Sequence, residues 1–149
     1  MAEFIDNEIL EMAIAREVDA NRFYLALVAR TQNPDIRKIF EELAAEELEH
    51  KAKLELEIMK TGRVVDTSRV PLGLQDDQPD YTPLEYEIDF KNILLMGMQK
   101  EEASFRLYVE MAGMTTDHDS KEMLLAIAQE EAGHKLRFKT VFDHLFDNA

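Results

Sequence analysis

The sequence predicts an all-α fold, an antiparallel four-helix bundle with one long crossover between the second and third helices. Three observations carry that prediction. Four long stretches place apolar residues at helical spacing. The connections near Gln32 and Thr116 are tight, whereas the middle one is about 20 residues long. The chemical pattern of the first half also returns in the second at an offset of 84 residues, the difference between Glu131 and Glu47.

The first helix is expected over 3–30, with Leu10, Ile14, Glu17, Tyr24 and Val28 on one face. Asn33 is a good N-cap and Pro34 a favoured first helical residue, so the second helix starts at 34 and runs to about residue 60. Gly62 supplies its stop. Residues 61–82 hold two of the four prolines and read as an extended crossover. Thr82 and Glu85 have capping-box spacing around Pro83, opening a third helix over 83–114. Asp117 caps a fourth over 118–146. Tight connections force helices one and two, and three and four, to be antiparallel neighbours. About 20 linker residues reach ~65 Å at full stretch, and a helix of about 28 residues is ~42 Å long. The crossover can therefore traverse the bundle, and a single domain over 1–149 is expected.

Glu47-x-x-His50 and Glu131-x-x-His134 are the most informative motifs. Residues three apart share a helix face, so each pair can grip one ion. Both motifs interrupt apolar stripes, Leu43, Leu54 and Ile58 in one copy and Ile127, Phe138 and Phe142 in the other. A carboxylate on such a stripe is costly unless neutralised. The repeat keeps polar identities: Glu17 maps to Glu101, Arg22 to Arg106, Tyr24 to Tyr108, Glu46 to Glu130, His50 to His134 and Lys51 to Lys135. Apolar positions keep only their character, as Leu54 with Phe138, which is the reverse of what packing alone would leave. A solvated salt-bridge face could explain one Glu-x-x-His, but not two on core stripes. Glu17 lies as far before the first tight turn as Glu47 and His50 lie after it, and Glu101, Glu131 and His134 repeat that arithmetic. Four carboxylates and two imidazoles at one depth are the ligand set of a di-iron or di-manganese site.

Composition narrows the alternatives. With 149 residues, 46% hydrophobic and 32% charged, the chain can bury a sizeable core. It has no Cys, which excludes disulfides, thiolate zinc sites and a rubredoxin-type centre on this chain. The net charge of −14 argues against nucleic acid. No apolar run approaches a membrane span, and the first residues lack the basic region of a signal peptide, so a cytoplasmic location is expected.

Glu17 with Tyr24, Glu101 with Tyr108, and the two Glu-Glu-x-x-His motifs together resemble the ferritin-like superfamily, most closely the rubrerythrin-type di-iron proteins. The likeness covers all four helices. It implies Glu17, Glu47, His50, Glu101, Glu131 and His134 as ligands of two iron ions, with Glu47 and Glu131 bridging; manganese and zinc are the other metals considered. It also implies that Tyr24 and Tyr108 hydrogen-bond to the carboxylates, beside the plainer reading of core tyrosines. Family members carry a further Glu one turn beyond the first on helix three, where this chain has Ser104, and they usually carry a rubredoxin domain, which is absent here.

The expected function is that of an oxidoreductase, reducing hydrogen peroxide or dioxygen as iron is oxidised. Turnover needs a separate electron donor such as a rubredoxin or flavoprotein. The rivals are a ferroxidase that sequesters iron and a non-catalytic metal-binding bundle. Outward Leu, Ile and Phe residues suggest a homodimer. Glu46, Glu102, Glu130, Arg22, Arg106, His118 and His144 read as surface groups. Met96, Met98 and Met111 read as core filler, and Phe105 as part of the inward stripe with Leu94 and Met98.

Overall fold

A computed structural model describes residues 2–60 and 88–146 of the chain. Within them lie α1 (Ala2–Arg30), α2 (Pro34–Met59), α3 (Ile88–Met114) and α4 (His118–Phe146), with no strand. The fold is all-α and ferritin-like. The expected crossover over 61–82, the Gly62 stop and the capping box at Thr82 to Glu85 lie outside the described residues. The chain divides into two compact units, Met1–Pro83 and Leu84–Ala149. Each contains one antiparallel helical hairpin, α1 against α2 and α3 against α4.

The two hairpin turns are chemical copies. In the first, the Thr31 hydroxyl donates to the Leu27 carbonyl at 2.7 Å, satisfying a C-terminal acceptor that α1 would otherwise leave open. Asn33 Oδ1 then accepts from the amides of Asp35 and Ile36 at 2.9 and 3.3 Å, with Pro34 at the first helical turn. In the second, Thr115 donates to the Met111 carbonyl at 2.7 Å, and Asp117 Oδ2 accepts from the Ser120 amide at 2.9 Å. Thr31 and Asn33 are offset from Thr115 and Asp117 by the same 84 residues. The repeat therefore extends to the groups that stop and restart the chain.

Leu10, Tyr24, Phe40, Leu43, Leu54 and Ile58 are all but inaccessible in the first unit, as are Leu94, Tyr108, Met111, Leu124, Ile127 and Phe138 in the second. Asn21 ties the first hairpin together by donating from Nδ2 to the Ala44 carbonyl at 2.8 Å. Two expectations are corrected. Met96 is half exposed, because it follows buried Leu94 by two residues and so points ~200° around the helix. Phe105 is also exposed: it lies on one flank of the Leu94–Glu101–Tyr108 line, and the inward face of α3 leans to the other flank, where Ser104 is buried.

One contact shows how the repeat tolerates apolar drift. A Cβ placed on Gly97 would lie 2.9 Å from the Phe138 ring. The equivalent positions in the first hairpin are Ala13 and Leu54, both buried. A larger residue on α4 is thus matched by a smaller one on α3. Gly97→Ala is expected to destabilise the protein by ~1–3 kcal/mol through overpacking. Adding Phe138→Leu, which recreates the Ala–Leu pair, should recover part of that loss in urea unfolding. Additive losses would contradict this coupling.

Candidate metal centre

In the first unit, α1 supplies Glu17 while α2 supplies Glu47 and His50. All three are 1% exposed. His50 Nδ1 lies 3.4 Å from Glu17 Oε2 and 3.8 Å from Glu47 Oε2. In the second unit, Glu101 comes from α3, and Glu131 and His134 from α4. His134 Nδ1 lies 3.5 Å from Glu101 Oε2 and 3.9 Å from Glu131 Oε1. Both the expected depth match and the expected helix face are thereby seen within each hairpin. The same imidazole nitrogen faces the carboxylates in both copies, and each triplet offers one atom per residue within 4.8 Å of the others.

These donors fit a cation. Two atoms each ~2.1 Å from one ion lie ~3.0–3.4 Å apart at octahedral or tetrahedral angles, so the observed spacings need contract by only tenths of an ångström. The electrostatics point the same way. Burial pushes the Glu17 carboxyl up to about 8, and hydrogen bonding to Glu47 together with the Glu47 charge adds to the rise, while His50 opposes it. Two carboxylates buried side by side hold a proton where a metal ion would replace it. The centre is therefore a metal site in its donor chemistry.

The remaining predicted residues sort clearly. Tyr24 and Tyr108 are buried to 0% and 1% exposure, on the same helix faces as Glu17 and Glu101. Ser104 is buried one turn beyond Glu101. Arg106 is on the surface and pairs with Glu102 at 3.2 Å, four residues earlier in the same helix. His118 is exposed and pairs with Glu122 at 3.4 Å, and His144, Glu130 and Arg22 are exposed as well. Glu46 is only half-buried. Two buried carboxylates escaped the sequence reading: Asp6 and Glu57, each 5% exposed, with Lys60 Nζ 3.0 Å from Glu57. The signal was present, since Glu57 follows His50 by seven residues and Asp6 precedes Glu17 by eleven, both whole numbers of turns to within ~20°.

Two helical hairpins, each burying a Glu–Glu–His triplet of metal-ligand character, define a metal-binding protein of the ferritin-like class. The chain belongs to the rubrerythrin family, whose model matches residues 8–142. Among curated proteins none matches. Three solved structures are similar along nearly the whole chain. A hypothetical protein from Pyrococcus furiosus shares 26% identity at a TM-score of 0.77, over 99% of this chain and 94% of that one. A conserved hypothetical protein from Mycobacterium tuberculosis shares 12% at 0.68, over 92% and 96%. The bacterioferritin-related protein of Bacteroides fragilis, a dodecameric thioferritin, shares 19% at 0.65, over 99% and 90%. The last two likenesses bear on the fold alone. No helix among the described residues is long and apolar enough to cross a membrane.

Proposed function

We infer that the two triplets act together, within one domain over 1–149, to bind two iron ions, and that the protein reduces hydrogen peroxide or dioxygen with electrons from a separate donor. The observation that carries this reading is the duplication: the same three donors, with the same nitrogen turned inward, are buried in both hairpins. Iron bound in such a site would supply the one-electron chemistry that reduction of peroxide or dioxygen requires. Four Glu would favour the higher oxidation state of bound iron, because carboxylates are hard anionic donors.

The chain's own residues have separate tasks in this scheme. Glu17, Glu47 and His50 would hold one ion, and Glu101, Glu131 and His134 the other. Glu17, whose carboxyl is pushed up to about 8 and so holds its proton at neutral pH without metal, would release it to become a ligand. Tyr24 and Tyr108 orient carboxylates and keep water from the buried ends. Rubredoxin or a flavoprotein supplies electrons, and the acidic chain is cytoplasmic.

A second reading, oxidation and sequestration of iron, draws on the same buried donors, which would hold iron whether or not it turns over. Peroxide consumption with excess external reductant separates the two. Many turnovers per iron pair are expected for the reductase. A single burst matching the bound iron would favour sequestration, and no consumption would leave only a structural metal.

A further inference from the structure

Gly133 breaks a rule of helix construction, and no packing contact explains it. It lies near the middle of the 29-residue α4, exposed, between the buried donors Glu131 and His134. A Cβ built on it would meet no atom within 4 Å, and its backbone is helical. Neither close approach nor a left-handed turn therefore calls for glycine there. Gly97 differs, because the Phe138 ring fills its space, and Gly113 stands beside the last residue of α3, where the helix is ending. The 84-residue repeat puts Glu49 at the Gly133 position in α2, equally exposed. Glutamate is a good helix former, whereas an interior glycine weakens the local helix about fivefold relative to alanine.

We propose that Gly133 is a positioning residue, a soft point that lets the Glu131–His134 turn yield, so that the second triplet takes up and releases its ion faster than the first. This rests on the reading of both triplets as metal sites. The donors themselves do not separate the two copies: His50 Nδ1 is 3.8 Å from Glu47, and His134 Nδ1 is 3.9 Å from Glu131. Two ligands of one ion stand ~3.0–3.4 Å apart, so loading draws each pair together and release lets it part. Both movements load the backbone between the donors, because residues three apart are fixed to successive turns. In α2 that backbone is Leu48 and Glu49, each confined by its Cβ. In α4 it is Ala132 and Gly133, and glycine has the wider choice of backbone angles. The first triplet is thus the holding site and the second the exchanging one.

Hydrogen exchange of the metal-free full chain tests the backbone half of this. Amides of residues 133–137 should be less protected than those of 49–53, their counterparts in α2. Gly133→Ala should raise the protection of the first set about fivefold, and Glu49→Gly should lower that of the second by a similar factor. Release of bound cobalt(II) to a coloured chelator tests the other half. Two phases are expected, with Gly133→Ala slowing only the fast one and Glu49→Gly quickening only the slow one. The combined Glu49→Gly/Gly133→Ala variant should again give two phases, with the roles of the triplets exchanged, an outcome that misfolding cannot mimic. Glu49→Ala removes the same charge without softening the helix and should leave the slow phase as it was. Equal protection in the two turns, or two bound cobalt ions whose release ignores Gly133→Ala, would overturn this proposal alone. The expected exchange pattern in a protein that binds no cobalt would overturn the metal reading, and the role of Gly133 with it.

Discussion

Glu47→Leu is expected to weaken iron binding by more than ~100-fold while raising the melting temperature of the metal-free protein. Losing a residue that merely orients a ligand typically costs 10–100-fold in metal affinity, and Glu47 is proposed as a ligand itself. The opposite effect on stability follows from its surroundings. Leu43 and Leu54, on the same stripe, are fully buried, so a leucine at 47 continues an apolar face. A leucine there also exchanges the desolvation cost of a buried carboxylate for buried apolar area, a gain of ~1.5–3 kcal/mol. Removing Glu47 also removes both of the influences by which it raises the Glu17 carboxyl. Calorimetry with and without iron separates the two effects: wild type should gain strongly from iron and the variant hardly at all. If Glu47→Leu destabilised the metal-free protein, the carboxylate would have to be part of the packing rather than a strained ligand.

The second large effect is on pH. The unperturbed Glu17 carboxyl has a value near 4.5, and in the folded metal-free protein it rises to about 8. Between those limits the folded state holds a proton that the unfolded state has released. The Glu17 contribution is therefore complete below about pH 4.5 and is lost as the pH climbs through about 8. Its limiting slope is about 1.4 kcal/mol per pH unit. The metal-free protein should thus be more resistant to urea at pH 5.5 than at pH 8, unlike proteins whose paired carboxylates make them acid-labile. Iron reverses the trend by taking the proton's place, so its affinity should rise with pH across the same window. Glu17→Gln should flatten the metal-free profile. A wild-type profile that rises from pH 5.5 to 8 would contradict the assignment.

Much of this was legible in the sequence because polar groups in helices leave position-dependent traces. Asn33 and Asp117 mark helix starts by cap chemistry, and both caps form. Glu17, Glu47 and His50 could be brought together by counting residues from a turn, because helix rise is constant. What stayed hidden depends on side-chain volume and on which flank of a helix is covered. Periodicity cannot tell that α3 leans toward Ser104 and away from Phe105. Nor could it show that Gly97 is small because Phe138 is large, since that fact belongs to a contact 41 residues apart in sequence. Asn21 gave no motif, yet its amide joins α1 to the α2 backbone. Asp6 and Glu57 were passed over because neither has an 84-residue counterpart of its own kind: those positions hold Phe90 and Val141.

The most direct test is a crystal structure of the iron-loaded protein with an anomalous-difference map at the iron edge. Two peaks inside the protein are predicted, one within bonding distance of Glu47 and His50 and the other of Glu131 and His134. A map without internal peaks, or with iron only on surface carboxylates such as Glu122 or Glu130, would contradict the account.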